Sequence, residues 1–270
     1  MPPSGKNVEE RERAMWMAGD FGRVAQYGAR AAEELVATLP IPPAARVLDI
    51  ACGTGNLSIP AARRGAVVTG IDIAPNLLEQ ARNRARIEGL DISFEESNAE
   101  ALPYADGKFD VIMGLFGAMF APNAERVAAE MTRVCRPGGT VLMANWTSRG
   151  FFGRVFDLGG RYMPSKAGAV SPVLWGEEDT VRQRLGNRTT SLRMQLRNFP
   201  LEFPFGPVQV VDLFRRYFGP TIAIFSRLDA NSQDAYRRGL EALWESHNEA
   251  GNDRTLVQAE YLEVVAIRGN

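Results

Sequence analysis

The 270-residue sequence predicts an α/β fold: a doubly wound, seven-stranded, mostly parallel sheet, with helices ahead of it and a helix-and-strand insertion late in the chain. Three observations carry this expectation. From Arg46 onward, short β-branched runs alternate with longer amphipathic stretches, the rhythm of a parallel sheet covered by helices. A glycine-rich turn, Gly53-Thr54-Gly55, follows the first run directly, and the second run ends in an acid, Asp72. Both features fall at the carboxyl ends of strands, where open α/β sheets gather their ligands.

Ahead of the sheet, Trp16, Phe21, Val24, Tyr27, Ala31, Leu35 and Leu39 recur at helical spacings and predict one or two helices, broken near Gly19 and Gly22. Pro40, Pro42 and Pro43 stop that pattern, because proline lacks the amide donor and restricts the residue before it. Strands are expected over 46–51, 67–72, 92–96, 109–113 and 140–146, with helices over 56–64, 76–88 and 124–134. After Trp146 the alternation fails, and glycine, proline and aromatics accumulate through Phe151, Phe152, Tyr162, Pro164, Pro172 and Trp175, which reads as a turn-rich lid. A strand over 189–203, helices over 208–227 and 232–249, and a buried last strand over 261–268 complete the chain. The expected division is an N-terminal helical segment (1–44), a ligand-binding core (45–147), a lid carrying the sixth strand and helices (148–257) and the final sheet strand (258–270).

Composition narrows the class. Hydrophobic residues at 45% and charged residues at 23% are ordinary globular values, which excludes a disordered or fibrous chain. With 31 basic against 32 acidic residues there is no overall field to draw a polyanion, so nucleic acid is not an expected partner. No apolar run approaches the roughly 18 residues that span a bilayer, and residues 1–13 are polar rather than leader-like, so a cytoplasmic protein without a membrane span is expected. A homodimer stays open as its oligomeric state. Cys52 and Cys135 lack Cys-x-x-Cys spacing and sit in apolar segments, which makes them buried thiols, with no metal or disulfide expected. His247, the only histidine, lies at the polar end of a helix and reads as solvated rather than as a base.

The chemistry resides in Asp49-Ile-Ala51-Cys-Gly53-Thr-Gly55. Glycine lets this loop turn sharply and lets a ligand come close where a Cβ would obstruct it. Asp72, seventeen residues after Gly55, stands where a ribose would present its two hydroxyls, so a nucleoside is implied. Dinucleotide-binding loops carry a third glycine where this chain has Ser58, and they set a pyrophosphate on the following helix. Asp49 would repel that pyrophosphate but suits a cation. Thr54 and Asn56 are better placed than Asp49 to cap the helix, which leaves the acid for a ligand. S-adenosylmethionine, an adenosine bearing an ammonium and a sulfonium, meets both requirements.

Val47-Leu-Asp-Ile-Ala-Cys-Gly-Thr-Gly55 resembles the first motif of the class I S-adenosylmethionine-dependent methyltransferases, which have a Rossmann-like fold. Gly70-Ile-Asp-Ile-Ala-Pro-Asn-Leu-Leu-Glu-Gln-Ala-Arg82 resembles their ribose-binding acidic motif, and Phe109-Asp-Val-Ile112 their fourth strand. Val134-Cys-Arg-Pro-Gly-Gly-Thr-Val-Leu142 resembles the turn before their fifth strand. The likeness covers about residues 45–147 and is nearest to the ubiquinone/menaquinone-type small-molecule branch. It implies that Gly53 and Gly55 flank the methionine moiety, that Asp72 accepts from the ribose hydroxyls, and that Ile73 packs on the adenine; Asp49 belongs to the same cofactor site, as does Ala51, which stands where many relatives have glycine and fits a tight loop. Asn98 and Ala99 stand where many relatives carry an aspartate that accepts from the adenine amino group; a neutral amide carbonyl accepts more weakly. The backbone of Gly114 and Leu115, just past the fourth strand, would face the methionine ammonium.

Phe116, Phe120 and Trp146 follow the fourth and fifth strands and are expected to line a pocket for a small, partly apolar substrate, with carbon or oxygen favoured as acceptor and nitrogen open. Tyr27 and Tyr217 are the candidates should a general base exist, and Arg215-Arg216 reads as a solvated helix face. The competing expectations are a non-catalytic S-adenosylmethionine-binding sensor or partner subunit, and a nicotinamide-dependent oxidoreductase.

Overall fold

A computed structural model describes residues 5–164, 170–251 and 253–270; residues 1–4 of the N-terminal segment and residues 165–169 and 252 of the lid lie outside it. Along the chain the elements are α1 (Gly5–Met17), α2 (Gly22–Ala25), α3 (Ala29–Thr38), β1 (Arg46–Ile50), α4 (Ser58–Arg63), β2 (Val67–Asp72), α5 (Pro75–Ile87), β3 (Ile92–Glu96) and β4 (Phe109–Leu115). There follow α6 (Ala124–Val134), β5 (Cys135–Trp146), α7 (Phe151–Tyr162), α8 (Glu178–Leu185), β6 (Thr189–Phe203), α9 (Pro207–Tyr217), α10 (Gly219–Phe225), α11 (Ala230–Ser246) and β7 (Thr255–Arg268).

One seven-stranded sheet runs in the order β3-β2-β1-β4-β5-β7-β6. The first five strands are parallel and β7 is antiparallel to both of its neighbours. Val47, Leu48, Ile50, Ile71, Ile112 and Met113 are fully buried, as a sheet covered on both faces requires. The strand order reverses between β1 and β4, and this switch point opens a crevice at the carboxyl edge, next to the glycine-rich turn. Among the described residues no helix is long and apolar enough to cross a membrane, and no cluster of side chains could hold a metal ion.

Several elements differ from expectation, each for a local reason. The N-terminal segment forms three helices rather than one or two. The stretch read as turn-rich contains α7, whose glycines at 153, 159 and 160 mask the helical recurrence of Phe152, Val155, Phe156 and Tyr162. A second helix, α8, lies in the same stretch. The single helix expected over 208–227 divides into α9 and α10, because Phe218 is extended and Pro220 sits in the first turn of α10. The final strand is longer than expected: β7 starts at Thr255 and pairs along the whole of β6, from Phe203↔Thr255 to Thr189↔Arg268.

Candidate active site

The carboxyl edge is shaped by two residues that adopt left-handed backbone without being glycine, Ala51 (φ 53°) after β1 and Phe116 (φ 58°) after β4. Such strain persists only where surrounding structure enforces it, and it concentrates at ligand sites. Gly117 is the point of enforcement. A Cβ there would lie 2.6 Å from the Ala51 side chain and 2.7 Å from its carbonyl oxygen, so the two loops close on each other only over a glycine. At Gly53 (φ +52°) the reverse holds: no protein atom lies within 4 Å of where a Cβ would stand, and the backbone is turned toward the cavity.

Asp49 and Asp72 flank this loop and are both buried. Asp49 accepts from the Ser58 hydroxyl at 2.5 Å, so it anchors the start of α4 from the neighbouring strand while still lining the cavity. This corrects the expected capping. The helix starts at Ser58 rather than 56, while the Thr54 hydroxyl and the Asn56 carbonyl both accept from Arg84. Burial pushes the Asp49 carboxyl up to about 7, against the Ser58 hydrogen bonds, and the charge of Asp72 adds to the rise. Asp72 accepts the backbone N–H of Gly53 at 2.8 Å and of Ala74 at 2.9 Å, one on each oxygen. Each oxygen keeps a lone pair, and burial raises this carboxyl as well.

The crevice encloses a cavity of about 930 Å³, at the upper end of the usual range for ligand sites of roughly 300–1,000 Å³. Its wall has two chemically distinct ends. One is polar and carries Asp49, Gly53, Asp72, Ile73 and residues 97–101. The other is aromatic and carries Trp16, Phe116, Phe120, Trp146, Phe152, Phe156, Phe199, Phe214 and Phe218. Phe116 and Trp146 stack face to face with centroids 3.4 Å apart and planes 10° from parallel, and Phe199 meets both rings edge-on. Ala51 and Gly117 line the cavity where the two ends meet.

Of the residues singled out from the sequence, Asp49, Ala51, Gly53, Asp72, Ile73, Asn98, Ala99, Leu115, Phe116, Phe120 and Trp146 line this one cavity. Four do not. Gly55 faces inward, where a Cβ would touch Phe94, Ala81 and Ile59, so its role is to pack the loop against the core. Gly114 lies within β4, which runs two residues further than expected, and the Ile50 carbonyl closes off its side-chain position. Tyr27 packs on Phe203 and Phe205. Tyr217 ends α9 outside the cavity wall. Neither tyrosine lines the cavity. His247 is half-buried rather than solvated, edge-on to Phe151, and also lies away from the cavity. Arg215 donates to Gln233 and covers Phe225 rather than facing open solvent.

Sequence reasoning missed the part of the wall supplied by distant elements: Trp16 and Phe21 from the N-terminal helices, Phe199 from β6, and Phe214 and Phe218 at the end of α9. The periodicity of Trp16 and Phe21 showed a helix with a buried face but could not say what that face covers.

Residues 47–139 match the family described as a methyltransferase domain. An uncharacterised protein of Mycobacterium tuberculosis is 41% identical over 223 residues, covering 82% of this chain and 81% of its own length. The chain belongs to the class I S-adenosylmethionine-dependent methyltransferases. This enzyme therefore uses S-adenosylmethionine, which displaces the nicotinamide and non-catalytic alternatives. A demethylmenaquinone methyltransferase of Thermus thermophilus is 37% identical over 131 residues, 47% of this chain and 60% of that one. The YcgJ protein of Bacillus subtilis shares the fold at a TM-score of 0.60 and 16% identity, over 89% of this chain and 99% of its own.

Proposed function

We propose that this methyltransferase modifies a small, partly apolar molecule seated in the aromatic end of the cavity, with the cofactor held in the polar end. The observation that carries the reading is the continuity of the two ends through Ala51 and Gly117, with the Phe116–Trp146 stack forming the wall beyond them. When bound, S-adenosylmethionine supplies a methyl group activated by its positive sulfur. In this reading Asp72 takes the ribose hydroxyls, Ile73, Asn98 and Ala99 border the adenine, and Asp49, Gly53 and Leu115 border the methionine moiety. Asp49 fits that place because a buried carboxylate raised by desolvation is stabilised by an ammonium.

The aromatic end can hold a flat apolar body, keep water out and align an acceptor atom with the methyl group for direct in-line transfer. The aromatic side chains of this end are tryptophan and phenylalanine, which carry no general base. The similarity to the Thermus demethylmenaquinone methyltransferase favours carbon or oxygen over nitrogen. The absence of any excess of basic residues argues against a nucleic-acid substrate.

The test is transfer from methyl-labelled S-adenosylmethionine into a cell extract that is then partitioned. Label is expected in solvent-extractable small molecules, and Trp146→Ala should lower that transfer at least tenfold, about 1.4 kcal/mol, while leaving S-adenosylhomocysteine binding intact. Label confined to precipitated protein or nucleic acid would overturn the reading.

A further inference from the structure

The polar end of the cavity has a roof. Helix α1 lies across the sheet edge, held by the Arg13–Glu96 ion pair (2.8 Å) at the end of β3 and by Trp16 edge-on to Phe120 and Phe218 (5.2 and 5.9 Å). Val8, Glu9, Glu12 and Trp16 line the cavity, and their spacing is that of one helical face. Trp16 reaches the aromatic end. Glu12, one turn earlier and next to Arg13, therefore lies toward β3 and residues 97–101.

The acceptors already at that edge each hold one of the protein's own backbone donors. The Asn98 side-chain carbonyl takes the Glu100 N–H at 2.8 Å, a local turn that directs it along the chain. One Glu100 oxygen takes the Asn123 N–H at 2.7 Å. Glu12 differs: it is half-buried, lines the cavity, and has no hydrogen-bond or ion-pair partner among the described residues. Burial, and then the charge of Glu100, raise its carboxyl, so this group is desolvated in front of a second acid. A donor from a ligand would relieve that cost. Glu9, the other acid on this face, is exposed, and Arg126 on the opposite rim is exposed as well.

We infer that Glu12 accepts a hydrogen bond from the 6-amino group of the bound adenine, supplying from the N-terminal helix the charged acceptor that Asn98 does not provide at the sheet edge. This rests on the proposed seating of the nucleoside between Asp72 and residues 97–99. It makes α1 part of the cofactor site rather than a cover for the substrate alone.

The test uses calorimetry on the full chain with two ligands, S-adenosylhomocysteine and its analogue with hydrogen in place of the 6-amino group. The wild-type protein should prefer the amino-bearing ligand by about 10- to 100-fold, the range of one hydrogen bond to a charged group. Glu12→Ala should reduce that preference to less than about threefold, and Glu12→Gln, which retains a carbonyl acceptor, should fall between. If Glu12→Ala weakens both ligands equally, Glu12 merely holds the helix and the inference is wrong. If it keeps the wild-type preference while Asp72→Ala weakens both ligands, the inference fails and the nucleoside seating stands. If Asp72→Ala also changes neither affinity, the seating falls with it.

Discussion

Lowering the pH from 7 to 5.5 should weaken S-adenosylhomocysteine binding by about 16-fold, or about 1.6 kcal/mol, because of Asp49 alone. Its carboxyl titrates at about 7 in the ligand-free protein because it is buried. A ligand ammonium set beside it favours the carboxylate, so the bound form should titrate well below 7. Half of the free protein already carries the proton at pH 7, so the first pH unit below 7 costs about fivefold in affinity and the slope then approaches tenfold per unit. At pH 6 roughly nine-tenths of the free protein carries the proton, so about 0.9 proton should be released for each ligand bound. Calorimetry at pH 6 in two buffers of different ionisation enthalpy reads that number directly, and Asp49→Asn should abolish it. The same shift acts on stability. A carboxyl raised on folding stabilises the protein fully at low pH and loses that contribution between about pH 4 and 7, by up to about 4 kcal/mol. Asp49→Asn should therefore gain thermal stability relative to wild type at pH 8 compared with pH 4. No proton release at pH 6 would show that no cation approaches Asp49.

Two substitutions test the shape of the site. Gly117→Ala forces a methyl group to 2.6 Å from Ala51 and should cost about 1–3 kcal/mol, a fall in melting temperature of roughly 2–12 °C, whereas exposed Gly160→Ala in α7, with no atom within 4 Å of the added group, should be neutral or stabilising. Equal losses from both would show that the loop contact is not the constraint. Tyr27→Phe should leave turnover and cofactor affinity within about twofold of wild type, since the ring packs on Phe203 and Phe205 away from the cavity; a large drop in turnover at unchanged affinity would restore it as a base.

The half of the site built by contiguous strand-and-turn units was legible in the sequence, because there the spacing in the chain dictates the spacing in space. Asp49 and Asp72 end adjacent parallel strands, Asp49 pairing with Gly70, so two motifs 23 positions apart had to share one crevice. The aromatic end was only partly legible. Phe116 and Trp146 follow neighbouring strands, and their stacking is a consequence of the β4–β5 pairing. Trp16, Phe199 and Phe218 arrive from far apart in the chain, and no periodicity links them. For Gly55 and Gly114, motif position alone points to ligand contact. In one case the side chain a Cβ would begin points into the core, and in the other the strand is longer than its apolar run suggested. Asp49 reads in the sequence as a ligand group rather than a helix cap, and its geometry adds a second task, since it lines the cavity while accepting from the Ser58 hydroxyl.

The most direct test of the account is a crystal structure with S-adenosylhomocysteine bound. In that structure the ribose hydroxyls should lie on the two oxygens of Asp72 and the amino group at Asp49, with the sulfur directed past Ala51 and Gly117 toward the Phe116–Trp146 stack. A ligand seated with its sulfur turned away from the aromatic end, or bound outside this cavity, would contradict it.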